Sequence, residues 1–358
     1  MWITMTKFPV SVCIIAKNEE KHIEECLKRL QPYGFEIVVT DTGSTDRTKE
    51  IATKYADKVL DFAWMDDFSE ARNFCAEQAS NSWILALDCD EYVNRVDVQG
   101  IRQCMKRFPK GLGAVRLNNL VFNDAGEKQY GIEHVVRFYH RSFYKFQAPI
   151  HEQLVAKSSD IERQRSFLLP MEVIHHGYAL TPDEMRKKQE RNLEILHKSV
   201  GKGGDDAYLY FQIGQSNFVL KNDQEAIEAY EMALSLNPPM DRIYVEYMIV
   251  SLAMSYVRQS RIADAVVLMD KYAEHCKSAR YVYTHAGVLY DSGQKLKALL
   301  LYVTTTTLED FDSIGQSKLH CYENIIEMYR EFGEEDMAGI FKEKYELCKK
   351  ERERVINS

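Results

Sequence analysis

The chain has 358 residues, of which 45% are hydrophobic and 28% charged, and its formal net charge is -8 at pH 7. This length suits two domains, and the composition is that of an ordinary folded protein. An acidic chain is a poor match for nucleic acid as the main partner, because phosphate binding needs a basic surface. No run of about 20 apolar residues is present that could cross a membrane.

The eight cysteines are scattered along the chain, and none belongs to a CxxC pair. This spacing favours reduced thiols in a cytoplasmic protein over a disulfide framework or a zinc site. The first twenty residues, MWITMTKFPVSVCIIAKNEE, lack the basic start and the small-residue cleavage site of a signal peptide. We therefore expect the first apolar run to be a strand and the protein to be cytoplasmic.

Short apolar runs alternate with amphipathic stretches in the first half of the chain. The runs are VSVCII (residues 10–15), FEIVVT (35–40), KVLDF (58–62) and WILAL (83–87). They predict four strands, the first, second and fourth of them buried, with Asn18 and Asp67 as caps of the helices that follow the first and third. This alternation is typical of a mostly parallel α/β sheet with helices on both faces.

Polar residues follow three of these strands, at the edge where parallel sheets bind ligands. Lys17–Glu19 follow the first strand, Asp41 follows the second, and Asp88 and Asp90 form a DCD sequence after the fourth. Two carboxylates two residues apart can hold Mg²⁺ or Mn²⁺ through oxygen. Such a cation would neutralise a diphosphate leaving group.

Four ordered motifs resemble the nucleotide-binding half of family 2 glycosyltransferases. They are VSVCIIAKNEEKHIEECLKRL, EIVVTDTGSTDRTKEIA, DFSEARN and WILALDCDEY. The resemblance covers roughly residues 8–180 and implies a GT-A fold that binds a nucleotide-diphosphate sugar. It implies that Ala16, Asn18 and Glu19 line the base and ribose pocket. Asp41 would then bind near the uracil or ribose.

The same resemblance implies how the donor diphosphate is held. Arg72 would face the donor pocket, Asp88 would contact the ribose or the metal ion, and Asp90 would be the main metal ligand. Arg137 could approach the diphosphate, and His175 could help to close the donor site. The QxxRW motif of processive polysaccharide synthases is absent, which argues against a long-chain synthase.

A basic and aromatic segment, HVVRFYHRSFYKFQAPIHEQL, and the later EVIHHGYAL resemble a narrower branch of this family. That branch includes lipopolysaccharide core sugar transferases and the sublancin-type peptide S-glycosyltransferases. Glu152 is the candidate general base, with His151 as the alternative; His151 could instead bind the metal ion or diphosphate. HEQLV lacks the second histidine of HExxH, which disfavours a zinc protease.

The second half of the chain follows a tetratricopeptide pattern. TPDEMRKKQERNLEILHK starts like a capped linker helix, and GKGGDD resembles a hinge. The residues at the expected repeat places are Tyr210, Ile213, Gly214, Ala226, Tyr230, Ala233 and Pro238. We expect three repeat units and a terminal helical pair, which form a peptide-binding or dimerisation surface.

These features predict a GT-A domain at residues 1–180, a linker helix and hinge at 181–206, and helical repeats at 207–358. The expected reaction is inverting, metal-dependent transfer of one sugar from a UDP-sugar. Only the resemblance to the family favours UDP-glucose as this donor. We expect the acceptor to be a Cys, Ser or Thr side chain of a peptide or protein. A lipid-linked or cell-surface glycan is the alternative acceptor. A nucleotidyltransferase and a catalytically inactive repeat scaffold are the rival functions.

Overall fold

The structure is a computed structural model that describes residues 7–122, 128–159, 161, 166–177, 181–201 and 206–356. The chain divides into two compact units, Met1–Met185 and Arg186–Ser358. Most of the predicted hinge, residues 202–205, and Tyr178 of the HHGY sequence lie outside the described residues. Within the described ranges, no helix combines the length and the apolar character needed to cross a membrane.

The described part of the first unit contains one large sheet and one hairpin. Its strands are β1 (Val10–Ala16), β2 (Glu36–Asp41), β3 (Lys58–Asp61), β4 (Trp83–Leu87), β5 (Glu91–Val96), β6 (Leu112–Phe122), β7 (Lys128–His140), β8 (Tyr144–Gln147), β9 (Gln153–Ala156) and β10 (Ser166–His175). The large sheet has the order β3-β2-β1-β4-β7-β6-β10-β5, and β8 pairs with β9. Strands β1 to β4 are parallel, so their carboxyl ends share one edge.

Helices cover both faces of this sheet, as the alternation of strands and helices predicts. They are α1 (Ile23–Leu30), α2 (Thr48–Tyr55), α3 (Phe68–Gln78) and α4 (Val98–Arg107). In β4, Leu85 and Leu87 pack in one cluster with α1, α2 and α4. Ile84 and Ala86 pack in a second cluster with α3. The mostly parallel, GT-A-like sheet predicted from the sequence is confirmed.

The prediction that Asn18 caps the first helix is wrong. Helix α1 begins only at Ile23, and Asn18 has a φ of 56°, in the left-handed region. Its side-chain oxygen accepts a hydrogen bond from the Thr45 N–H at 2.8 Å, and its own N–H donates to the Ser44 hydroxyl at 3.0 Å. Asn18 therefore ties the loop after β1 to the loop after β2. Asp67 does cap α3, since it accepts from the Glu70 N–H at 3.1 Å.

Helix α5 (Pro182–Ser199) leads into a helical second unit. The following helices are α6 (Ala207–Leu220), α7 (Asp223–Ser235), α8 (Ile243–Arg258), α9 (Ile262–Tyr272), α10 (Ala279–Asp291), α11 (Lys295–Thr305), α12 (Ser317–Glu331) and α13 (Glu335–Ile356). The fourth residue of α7, α9, α11 and α13 is a buried alanine: Ala226, Ala265, Ala298 and Ala338. A small residue there lets paired helices pack closely, and tetratricopeptide-like repeats are confirmed.

Candidate active site

The FSEARN sequence holds the turn between β8 and β9, which carries His151 and Glu152. The Asn73 side-chain amide donates to the Phe146 carbonyl at 2.9 Å and accepts from the Phe146 N–H at 2.9 Å. The Phe68 N–H donates to the Pro149 carbonyl at 2.8 Å. The start of α3 thus fixes where this turn lies.

Arg72, on α3, bridges the end of β4 to this turn. Its Nη2 lies 2.7 Å from Asp88 Oδ1, and its Nε lies 2.5 Å from Glu152 Oε1. The Arg72 side chain is only 6% exposed and Glu152 only 11%, so the Arg72–Glu152 pair is largely shielded from water, whereas Asp88 is 31% exposed. Charge-assisted hydrogen bonds from a guanidinium fix geometry as well as charge. The predicted donor-side residue Asp88 and the predicted base Glu152 therefore both bind the guanidinium group of Arg72.

A second arginine reaches Asp88 from the other side. Arg137 Nη2, on β7, lies 3.0 Å from Asp88 Oδ2 and 3.1 Å from Glu91 Oε1. Glu91 is fully buried, and its Oε2 accepts the Asp88 backbone N–H at 2.9 Å. The sequence analysis missed Glu91. This acid directly follows the DCD sequence and is the first residue of β5.

The pKa values of the two acids in this cluster, Asp88 and Glu91, shift in opposite directions. Burial acts to raise the pKa of Asp88, but the charges of Arg72 and Arg137 outweigh it and hold the pKa well below its usual range. Burial raises the pKa of Glu91, and the Asp88 carboxylate adds to this effect while Arg137 opposes it. Asp88 is therefore a carboxylate with both oxygens bound to arginines, which leaves Asp90 as the more available oxygen ligand.

Asp90 lies beside the HHG sequence at the end of β10. Its Oδ2 is 3.6 Å from His175 Nε2, and its backbone carbonyl accepts the His176 N–H at 2.9 Å. A Cβ atom added to Gly177 would lie 2.2 Å from Asp90 Oδ2 and 2.6 Å from His175 Nε2. Burial acts to lower the pKa of His175, but its contact with Asp90 and the nearby carboxylates raise this pKa above its ordinary value.

Asp41 ends β2, two strands from β4. Its Oδ1 accepts the N–H groups of Gly43 at 3.0 Å and Ser44 at 2.9 Å. Its Oδ2 is buried and has no hydrogen-bond partner among the described residues. Buried polar atoms are nearly always paired, so this oxygen is an acceptor suited to a ligand donor.

The end of β1 lies beside Asp41, and the loop after β1 contacts α2; Ala16 is opposite Asp41 in the register of β1 and β2. The Thr42 N–H, adjacent to Asp41, donates to the Ala16 carbonyl at 2.9 Å. The Glu19 N–H donates to the Thr48 hydroxyl at 2.7 Å. Ala16, Asn18, Glu19 and Asp41 thus form one region at the edge of the sheet.

The predicted site residues form three neighbouring groups along or beside the sheet edge. Arg72, Asp88, Arg137 and Glu152 are in direct contact, Asp90 pairs with His175, and the residues around Asp41 lie at the ends of β1 and β2. His151 is exposed, in the left-handed region at φ 53°. Within the described ranges, no three His, Cys, Asp or Glu side chains are grouped to hold a metal ion.

Comparison with known proteins links both units to described families. Residues 11–153 match the model of Glycosyl transferase family 2, and residues 207–239 match that of the tetratricopeptide repeat. A TPR repeat-containing protein from Synechococcus elongatus is 32% identical over 220 residues, which is 60% of this chain and 53% of that protein. This chain therefore spans about half the length of that relative.

Other relatives are glycosyltransferases by name. The prophage-derived glycosyltransferase SunS of Bacillus subtilis is 24% identical over 330 residues, covering 87% of this chain and 75% of SunS. The poly(ribitol-phosphate) beta-N-acetylglucosaminyltransferase TarS of Staphylococcus aureus is 36% identical over 101 residues, 25% of this chain and 17% of TarS. The solved structure of TarS 1-349 is 16% identical and covers 81% of this chain and 92% of that one, with a TM-score of 0.43. Residues 11–153 are therefore similar to family 2 glycosyltransferases and residues 207–239 to a tetratricopeptide repeat, and the chain is similar to SunS over most of its length.

Proposed function

We propose that this protein is a cytoplasmic inverting glycosyltransferase that moves one sugar from a UDP-sugar to a peptide or protein. The single observation that carries the proposal is the bridge Asp88–Arg72–Glu152. It joins the end of β4, where the donor would bind, to the turn that would face the acceptor. Burying a guanidinium between two carboxylates costs desolvation free energy, and sites with such buried charges are often functional.

The arrangement of Asp41 and Asp88 supports a nucleotide diphosphate as the donor. Neighbouring strands are about 4.8 Å apart, so the ends of β2 and β4 are separated by about 10 Å. A uridine at Asp41 could therefore place its diphosphate near the DCD sequence. The buried Oδ2 of Asp41 could accept the N–H of a uracil ring. We propose UDP-glucose as the donor, because the chain resembles the sublancin-type enzymes.

The residues around Asp90 fit a divalent cation, Mg²⁺ or Mn²⁺. Asp90 offers a carboxylate that neither arginine of the cluster binds, and Gly177 leaves the space beside it clear of a side chain. The donor diphosphate would supply further oxygen ligands, with Asp88 as a second protein ligand once an arginine contact opens. When bound, the cation would neutralise the charge that develops on the departing nucleotide.

Glu152 is the proposed general base, with His151 as the alternative. One Glu152 oxygen binds Arg72, which orients the carboxylate toward the cluster. A cysteine acceptor would depend little on this base, because a thiolate is already a strong nucleophile. A serine or threonine acceptor would depend on it strongly, since a hydroxyl needs its proton removed.

A side chain of Cys, Ser or Thr is the proposed acceptor, because the chain resembles the sublancin-type peptide S-glycosyltransferases. A lipid-linked or cell-surface glycan is the alternative acceptor. The name of TarS, which gives poly(ribitol-phosphate), favours this alternative. We propose that the repeats at 207–358 bind the acceptor or form a homodimer. The proposed division is a catalytic domain at 1–180, a linker at 181–206 and the repeats.

The test is a donor-hydrolysis assay with several UDP-sugars, with and without Mn²⁺, followed by mass spectrometry of candidate peptides. We expect metal-dependent UDP release and a peptide mass increase of one hexose. Glu152→Gln should slow transfer to a hydroxyl far more than transfer to a thiol. Release of UDP without a peptide product would favour the glycan acceptor, which membrane lipid fractions would then reveal. No UDP release with any donor would instead support an inactive scaffold.

A further inference from the structure

We propose that residues 131–136 of β7 form a docking edge, where the acceptor binds as an extended peptide that adds a strand to the sheet. This inference rests on the proposed function, because it gives the peptide acceptor proposed there a binding surface and a conformation. It follows from the different lengths over which β7 pairs with its two neighbours in the sheet.

Strand β4 covers only the far end of β7. It pairs with β7 at residues 138–140, whereas β6 pairs with β7 from Lys128 onwards. Among the described residues, the docking edge therefore pairs with β6 alone. Residues 131–134 are all exposed, and Ile132 is 58% exposed. The second side of this segment is thus open to a further strand.

The contacts at the covered end of β7 show which residues face β4. A strand turns its backbone N–H and C=O groups to alternate sides along the chain. The Arg141 N–H donates to the Ser82 carbonyl at 2.9 Å, so Arg141 faces the β4 side. Counting back along β7, Tyr139 also faces β4 and Phe138 faces β6. In a regular strand, the odd-numbered residues would continue to face the β4 side.

A β-bulge at Arg137 reverses this alternation. The register of the two strands shifts here, because β7 advances two residues, from Phe138 to Val136, while β6 advances one. Bulges often re-aim a side chain beside a functional site, and Arg137 binds Asp88. Beyond the bulge, the residues whose N–H and C=O groups face the open side are 132, 134 and 136.

A peptide paired with the docking edge would lead directly to the candidate active site. It would lie on the line of β4, which is a neighbour of β7 in the sheet and ends at Leu87. Arg137, at the end of the docking edge, binds Asp88 and Glu91 through Nη2. Main-chain hydrogen bonds to a sheet edge align an extended peptide, and pockets for alternate side chains select it. An acceptor side chain just beyond the paired segment would therefore reach the site.

The side chains of the docking edge favour a peptide with one apolar face. Val135 packs against the main core of the sheet, so Ile132, His134 and Val136 share the opposite face. The β-branched residues Ile132 and Val136 favour β-branched or aromatic partners on a neighbouring strand. Glu133 disfavours a second copy of this chain as the occupant, because charged side chains on an edge oppose pairing between copies.

A library of ten-residue peptides, each with one central Cys, Ser or Thr and randomised flanks, is the probe. We expect the full chain, with UDP and Mn²⁺, to enrich sequences with alternating β-branched or aromatic residues on one side of the acceptor residue. N-methylation of every second amide in that flank should weaken binding at least about 10-fold, whereas methylation of the amides between them should not. If no peptide is enriched, or the N-methyl effects lack this period of two, the inference is overturned.

His134→Pro and His134→Ala separate the backbone of the docking edge from its side chain. Proline removes the N–H that faces the open side, and an edge strand tolerates it. We expect proline to weaken peptide binding at least about 10-fold and alanine, which keeps the N–H, by less than about 3-fold. Equal losses would overturn the docking edge. The N-methyl experiment uses the wild-type chain and does not depend on the folding of a variant.

UDP release separates this inference from the proposed function. Metal-dependent UDP release with no enriched peptide would refute the docking edge and leave the transferase. A peptide held at the docking edge of a chain that releases no UDP would refute the transferase and leave the docking edge. If sedimentation shows a wild-type dimer that His134→Pro dissociates, a second copy is the occupant and the inference fails.

Discussion

Replacing Arg72 with lysine should loosen the link between the end of β4 and the turn that carries Glu152. The guanidinium binds Asp88 through Nη2 and Glu152 through Nε, whereas one ammonium group cannot reproduce this fork. A hydrogen bond to a charged group contributes about 1.5–3 kcal/mol, so the loss of one should cost about 2 kcal/mol. For a unit of this size, that loss corresponds to a fall of about 6 °C in melting temperature.

Tryptophan fluorescence during urea unfolding measures this effect in the first unit alone. The chain has three tryptophans, Trp2, Trp64 and Trp83, and all lie before residue 186. Arg72→Met should cost more, about 3–5 kcal/mol, because Glu152 loses its buried partner and Asp88 keeps only Arg137. Amide hydrogen exchange in residues 148–152 should also become faster in both variants.

Arg29→Lys is the matched control for the lysine substitution. Arg29 pairs with Glu25 one helical turn away, and both side chains are well exposed. Such surface pairs contribute less than about 1 kcal/mol. If Arg72→Lys is no more destabilising than Arg29→Lys, Arg72 does not hold the two segments together, and the argument for the bridge fails.

Three further variants test other parts of the structure. Asp90→Ala should abolish metal-dependent transfer while circular dichroism shows an intact fold; unchanged turnover would reject Asp90 as a ligand. Glu36 is buried, and hydrogen bonds from Ser11 and Ser80 with the charge of Lys58 outweigh burial and lower its pKa to about 2. Its stabilisation is therefore complete above its unfolded pKa and is lost as pH falls, so Glu36→Gln should cost about 3 kcal/mol at pH 7 and under about half of that at pH 3. A cost independent of pH in urea titrations would contradict this reasoning. Gly214→Ala would place a Cβ 2.4 Å from the Tyr230 ring and should destabilise the repeats by about 1–3 kcal/mol, whereas Gly287→Ala meets its nearest atom at 3.5 Å and should not. If the two variants lower the melting temperature equally in thermal melts monitored at 222 nm, the close contact of Gly214 with Tyr230 does not explain the destabilisation.

Local patterns in the sequence predict the parallel half of the sheet closely. WILAL becomes β4 at residues 83–87 as predicted, and the first two strands differ from the prediction by about one residue at their ends. Apolar runs between amphipathic helices are strong signals where the strand is buried on both faces, as β1, β2 and β4 are. The position of Asp41, Asp88 and Asp90 at strand ends follows from those runs.

The contacts that assemble the site depend on distant residues and could not be predicted in this way. Arg72 and Glu152 are 80 residues apart, and Arg137 and Glu91 are 46 apart. Their pairing depends on the antiparallel placement of β7 and on the β8–β9 hairpin, which leave only weak local signals. Asn18 shows the same limit. Its hydrogen bond with Thr45, 27 residues further along the chain, outweighs its preference for capping a helix.

A crystal structure of the full chain with UDP and Mn²⁺ would test the central claim most directly. Anomalous scattering at the manganese edge locates the ion without reference to a starting model. We predict an anomalous peak within about 2.3 Å of an Asp90 oxygen, bound to the UDP diphosphate, with the uracil ring against Asp41. UDP bound away from the carboxyl ends of β1, β2 and β4, or a manganese peak remote from Asp90, would contradict the account.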